Sequence, residues 1–498
     1  MASVANGGTL MRWCALLVIC IVYTLMAQPL VWGEHAETLF MRAVEAERAG
    51  DLNRAIDLFN EVAGLDPQSV ATLNNRGVVY AKMNELDRAI EDFTSALQLD
   101  PDNISVLSNR ASAYLKKGEP DQALKDLNTM LKIDSGSDSV LLNRAQVWLK
   151  MGNPEKAEDD IKTILRHEER HTGALVFLGQ CLIAQGRMDE AAKTFLRALR
   201  IDPDSEAASR GLGDAYFAGR KLDKALEVYT KALQKDPRNP TLLLKRCTAH
   251  LWSQNYKQAV IDCQASLRLE AMNPDAHFAL GNAMAGQGML TEAVDAFSKA
   301  IELSPNSGAY FYNRGLALHQ THETTRALDD FNRAIEIDPG HVDALIARGG
   351  IYWSLGQTEK ALADFARAYQ LDGNNVGALK NLGSALLALE KQEAGIRALE
   401  EARKIAPEDS QVLAALGDAF LSKREMDSAI AYYKQAFRHE PDEIEKTRVL
   451  IRLGLAYERA GKQSQALKTY EKAVGSLKNP DMKQPLVEKI QELRGGKR

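Results

Sequence analysis

The chain has 498 residues, of which 45% are hydrophobic and 26% charged, and a net charge of −5. That balance belongs to a folded chain and argues against intrinsic disorder. It offers no basic tail or patch large enough to predict nucleic-acid binding, and its five cysteines contain no C-x-x-C pair for zinc or redox chemistry.

The first 35 residues stand apart. Trp13 to Trp32 is apolar, with Arg12 before it and Glu34 and Glu37 after it. A positive-before, negative-after flank predicts an N-terminus in the cytoplasm and the rest of the chain across the membrane. The strongest apolar core, Trp13 to Ala27, is short for a spanning helix and reads first as a cleaved signal peptide. Extended to Trp32, the same segment reaches the length of an uncleaved anchor. A cytoplasmic protein with a misread start is the remaining alternative. Cleavage after Gly33 fits, Met11-Arg12 would make a typical signal start, and Ile19-Cys20 lacks the small residue that precedes a lipidated cysteine. The resulting expectation is an extracytoplasmic protein whose contact with the membrane is confined to this segment.

From residue 36 a period of 34 governs the chain. Alanine at 55 returns at every 34th position to Ala429, with Gly395 as the one exception. A fixed period of this length means stacked units, each burying its apolar face only against its neighbours. With the alanine as position 20, repeats start at 36, 70, 104, 138, 172, 206, 240, 274, 308, 342, 376 and 410, and a thirteenth starts at 447 after three inserted residues. Apolar residues around positions 4, 8 and 11, and again around 20, 24 and 27, have helical spacing. A Gly or polar break such as Lys117-Gly118 or Gln185-Gly186 separates the two helices. Position 8 is Gly in nine repeats and position 24 is Phe or Tyr in nine, so small residues admit a close approach and an aromatic fills the space. Position 32 is Pro in eight repeats, which predicts the end of the second helix there.

These residues resemble the tetratricopeptide repeat family, whose G…Y…A…F…P pattern is complete in Gly77, Tyr80, Ala89, Phe93 and Pro101. The resemblance implies an all-α, right-handed superhelical solenoid of helix-turn-helix repeats over 36–479, with a concave groove lined by the first helix of each repeat. Residues 480–498 then read as a capping helix, with Leu486, Ile490 and Leu493 on its apolar side, and a basic tail.

Two patterns remain. Arg76, Arg110, Arg144, Arg246, Arg314 and Arg348 stand at position 7, and the same six repeats carry Asp92, Asp126, Asp160, Asp262, Asp330 and Asp364 at position 23. Arg42 in the first repeat has no such aspartate. The pairing predicts an ion pair between the two helices of each hairpin, structural in purpose. Position 6 is Asn in five repeats: Asn75, Asn109, Asn143, Asn313 and Asn381. The family places this position in the groove, where an amide that both donates and accepts could hold the backbone of an extended peptide. Asn75, Asn109 and Asn143 form an uninterrupted row similar to the asparagine ladder of O-linked N-acetylglucosamine transferases; it lapses at Phe177, Gly211, Lys245 and Ala279. These asparagines are the candidate peptide-binding residues. The basic partners of a carboxylate-clamping groove are missing around Asn282 and Asn313.

Other motifs read as structural. His167-Glu168-Glu169-Arg170-His171 matches H-E-x-x-H, but its phase puts it across an inter-repeat turn with no third ligand. Cys247 and Cys263 take core positions 8 and 24 of one repeat and read first as two small buried side chains, with a bridge possible in an oxidising compartment. His319 and His322 read as surface residues. Asn103-Ile104-Ser105 matches a glycosylation sequon, relevant only in a eukaryotic secretory setting. No catalytic residue, metal site or cofactor is expected. The functional expectation is a scaffold for protein or peptide partners, or alternatively an accessory subunit that recruits substrates to a separate glycosyltransferase, secretion or envelope-assembly machine.

Overall fold

The computed structural model describes residues 35–477 and 480–495. The segment Trp13 to Trp32 lies outside the described residues, and among those described no helix is long and apolar enough to cross a membrane. The described chain is helical, and each repeat is a hairpin of an A helix over positions 1–13 and a B helix over positions 17–30. Two compact blocks divide it, one ending at Lys235 and the other starting at Asp236. Within each block every B helix packs on its own A helix and on the A helix of the next repeat.

The hairpin turn has one conformation in all thirteen repeats. Position 15 takes a positive φ, as in Gly118 (φ 84°) and Asn84 (φ 64°), and the following N–H closes onto the A helix, as Glu119 does on Tyr114 at 2.9 Å. Seven of these residues are Gly; Arg220, Gln254, His322, Glu390 and Arg424 hold the left-handed turn despite their side chains.

The end of the B helix depends less on proline than the sequence suggests. Repeats with Ser135, Glu169, Ala271 or Gly373 at position 32 stop at the same place, at Ile133, His167, Leu269 and Leu371. The residue at position 31 closes its N–H on position 27, as Asp134 does on Met130 at 2.9 Å, and the carboxylates of Asp134, Asp202 and Asp372 also accept the N–H of position 33, Asp134 from Gly136 at 3.1 Å. Position 34 then caps the next A helix: Ser69, Asn103, His171, Asn239 and Asp409 each accept from an N–H three residues on.

The core is a row of contacts between positions 8 and 24. A Cβ on Gly77 would lie 2.7 Å from the Phe93 ring, and one on Gly213 would lie 2.2 Å from Tyr229, so these glycines are set by close approach. In repeat 7 the same two positions are Cys247 and Cys263, and the structure bridges them, with Cα atoms 5.5 Å apart. This corrects the expectation of two separate thiols: the spacing that elsewhere seats a ring against glycine here brings two Cβ atoms within disulfide reach. The insertion before repeat 13 adds no loop but lengthens its A helix, which starts at Glu443 and runs to Arg459. The helix Pro480–Gly495 lays Leu486 and Ile490 onto the core of repeats 12 and 13, with Leu493 beside them.

Candidate binding surface on the A helices

A lattice of ion pairs beneath the surface fixes which side chains remain available. All six Arg–Asp pairs form, each two-pronged through Nε and Nη2: Arg110 reaches Asp126 at 2.9 and 2.7 Å, and Arg246 reaches Asp262 at 2.7 and 2.7 Å. The aspartates are buried. The paired carboxylate holds the Arg76, Arg110 and Arg348 guanidinium groups above their ordinary pKa, against the opposing effect of burial. Sequence reasoning stopped at the hairpin, but the pair also joins repeats. Nη1 of Arg76, Arg110, Arg144, Arg314 and Arg348 donates to Asn60, Thr94, Asn128, Ser298 and Asn332, all at position 25 of the preceding B helix. The recurrence of Asn, Thr or Ser at that position was the available signal.

A second pairing went unread. Tyr229 and Tyr433 donate to Asp214 and Asp418, each at 2.6 Å. These are the two aspartates at position 9, and they occur in repeats whose position 24 is Tyr instead of Phe. Burial and the adjacent carboxylate push both phenols up.

Above this lattice lie the position-6 asparagines. Asn75 donates Nδ2 to Ala71 O in its own helix at 2.8 Å, and Asn313 does the same to Ala309 O at 2.9 Å. Asn109 donates to Asn74 Oδ1 of the preceding repeat at 2.9 Å, and Asn143 is exposed. A primary amide has two N–H groups and two carbonyl lone pairs, so one internal bond leaves an N–H and the carbonyl oxygen for a ligand while fixing the side chain's rotamer. Asn381 lines a cavity of about 420 Å³ on the A helices of repeats 10–13, with Trp353, Lys380, Ser384, Gln411 and Arg452. Its cations are engaged within it: Lys380 donates to the neutral Gln411 amide oxygen at 2.5 Å, and Arg452 pairs with Asp418 at 3.0 Å. Burial raises the Asp418 pKa, with Tyr433 and Arg452 opposing it. A second cavity of about 590 Å³ lies on the A helices of repeats 7 and 8, walled by Leu244, Leu251 and Phe278 with Thr248 and Asn282. The lapse of the asparagine row at Gly211 has a packing reason, because a Cβ there would lie 2.3 Å from the Phe195 ring.

The histidine motif does not occupy one helix. His167 is the last residue of a B helix, and His171 caps the next A helix, its Nδ1 accepting from Ala174 N–H at 3.0 Å. Asp138, Glu168 and His171 bring their ligand atoms within 4.8 Å of one another, but Glu168 is exposed and one His171 nitrogen is engaged as the cap. His319 and His322 are exposed, and His322 is a turn residue with φ 65°. Cys181 is buried, which pushes its thiol up to about 12 and leaves it unreactive.

The chain matches family models described as tetratricopeptide repeat at residues 70–103, 142–206, 275–442 and 448–476, and one described as TPR repeat at 213–251. Among solved structures it is similar to the APC/C hetero-tetramer Cut9-Hcn1, with 15% identity over 91% of this chain and 96% of that one and a TM-score of 0.46. It is also similar to a tetratricopeptide repeat protein from Parabacteroides merdae, with 25% identity over 50% of this chain and 98% of that one and a TM-score of 0.44. The yeast Tom70 structure is 17% identical over 93% of this chain and 96% of that one, with a TM-score of 0.39. No protein of curated function matches the chain in sequence.

Proposed function

Because this chain belongs to the tetratricopeptide repeat family, we propose that it is a non-enzymatic scaffold that holds protein or extended-peptide partners on the A-helix face. The observation that carries this reading is the asparagine row. Asn75, Asn109 and Asn143 repeat on successive A helices, none is needed for packing, and each keeps hydrogen-bonding capacity turned away from the core. An amide row suits a backbone, which presents one donor and one acceptor per residue whatever the side chains. The partner is therefore held largely through its main chain, with the mixed polar cavity at Asn381 and the apolar cavity at Phe278 selecting among side chains.

The protein works on the extracytoplasmic side, through an N-terminal segment that is either cleaved or retained as an anchor. The Cys247–Cys263 bridge supports this location, since disulfides persist in oxidising compartments. Whether the scaffold acts alone or recruits substrates to a separate glycosyltransferase, secretion or envelope-assembly machine depends on the partner. The test is the triple variant Asn75→Ala/Asn109→Ala/Asn143→Ala in the native host. It should melt within about 1 °C of wild type, because surface substitutions of this kind cost little. It should lose partner capture in a quantitative pull-down from the membrane or periplasmic fraction. Unchanged capture would remove this end of the A-helix face from the proposal.

A further inference from the structure

Repeat 6 departs from the lattice at every one of its three positions. Position 7 is Leu212, position 23 is Val228, and position 25 of the preceding B helix is Leu196, where the six joints that carry the arginine have Asn, Thr or Ser. The guanidinium that bonds Asn60, Thr94, Asn128, Ser298 or Asn332 of a preceding B helix is replaced here by shorter apolar side chains. A cleft of about 450 Å³ opens there, between the B helices Met188–Ile201 and Leu222–Lys235 and over the A helix Glu206–Ala218. All of its lining belongs to the block that ends at Lys235. Leu196 lies in it with 40% of its surface exposed.

The rim has one dominant sign. Arg200, Lys224, Lys231 and Lys235 surround the apolar floor, against the single carboxylate of Glu227. Lys235 is engaged with Asp204 at 2.5 Å, and Lys224 stands 5.6 Å over the Tyr216 ring. Among the described residues no carboxylate lies within ion-pair distance of Arg200, Lys224 or Lys231.

We propose that this cleft docks an acidic amphipathic segment of a partner protein, separately from the A-helix face. Its apolar side chains cover Leu196, Leu212 and Val228, and its carboxylates meet Arg200, Lys224 and Lys231. The apolar floor supplies affinity by burial, and the cationic rim supplies selectivity and the encounter rate.

The test is fluorescence anisotropy of the full chain with a labelled peptide of about 18 residues, roughly five helical turns. One probe carries Leu on one face and Glu on the other; the second replaces every Glu by Lys. The acidic probe should bind about tenfold more tightly than the basic one, and the gap should shrink as salt rises from about 50 to about 300 mM. Leu196→Asn/Leu212→Arg/Val228→Asp rebuilds the side-chain set of the arginine joints, such as Asn60, Arg76 and Asp92, and fills the cleft. It should keep the wild-type melting temperature and weaken the acidic probe about tenfold. Lys224→Glu/Lys231→Glu leaves the floor intact and should reverse the probe preference, so the proposal stays testable if the filled variant folds poorly. The variant with Asn75, Asn109 and Asn143 replaced by Ala should bind the acidic probe as wild type does. Equal binding of both probes, or retained binding by the folded, filled variant, would overturn the proposal. Sedimentation of wild type as a dimer that the filled variant loses would assign the cleft to a second copy and overturn it as well.

Discussion

Repeats 2 to 4 join their neighbours through a buried Arg–Asp pair, whereas in repeats 5 and 6 leucine stands in place of that arginine. In the first group Arg76, Arg110 and Arg144 each tie their own B helix to the preceding one. In the second, Phe195 packs against the bare backbone of both Gly179 and Gly211, and Leu178 and Leu212 stand where the arginines would be. Repeat 5 keeps a polar joint of another kind: buried Glu158 accepts from Gln185 at 2.7 Å and Arg187 at 3.0 Å. Burial pushes that carboxyl up, but Lys162, Gln185 and Arg187 outweigh it and hold it low. The hairpin backbone thus accepts either solution. The charged lattice requires all three partners together. The apolar one is free of that requirement, and in repeat 6 it opens a cleft.

That contrast can be broken most severely at Arg110. Arg110→Ala leaves Asp126 buried without its partner and should cost about 3–5 kcal/mol, read as a lower urea midpoint. Arg110→Leu/Asp126→Ala, which imitates Leu280 and Ala296 of repeat 8, should recover most of the loss; a double variant no more stable than the single would show that the lattice is not a unit. In repeat 7 the bridge replaces the usual core pair. Cys247→Ala/Cys263→Ala opens a loop of 16 residues and should cost about 3 kcal/mol, while a reductant should destabilise wild type and leave the variant unchanged. Gly211→Ala pushes a Cβ into Phe195 and should cost about 1–3 kcal/mol, whereas Asn75→Ala at the same position of repeat 2 should cost under about 0.5 kcal/mol. Equal effects would mean that position 6 has one role throughout. The smallest effect concerns pH. Burial lowers the His250 pKa, with Asp262 opposing and Arg246 reinforcing it, and His250 Nδ1 is buried without a partner. The unfolded chain then binds the proton more readily than the fold. Stability is complete above the unfolded pKa of about 6.5 and falls as pH drops through it. His250→Gln should flatten that dependence in thermal melts at pH 7 and pH 5.

The fold was legible because its signal repeats thirteen times, and phase alone placed the helices, the glycine–aromatic contacts and the Arg–Asp pairs. What escaped depends on single instances or on neighbours. The lattice bond to position 25 was hidden because Asn60, Thr94 and Ser298 differ in type and lie one repeat earlier. The tyrosine–aspartate pairs occur twice, too rarely to stand out. The turn at Arg220 or Glu390 has no glycine to announce it, and is held by the helices on either side. Position 6 was legible as a row, but the internal bonds of Asn75 and Asn109, which set how much of each amide remains for a partner, needed coordinates. The cleft in repeat 6 follows from three substitutions on three helices that no one motif contains.

The proposed function puts partners along the A helices at the asparagine row. A photo-crosslinking residue at Asn109 tests it most directly, compared in the native host with one at Glu91, which is exposed on a B helix of the same block. A discrete crosslinked partner is expected from position 109, with none of that mass from position 91. The same partner from position 91 with none from 109 would contradict it.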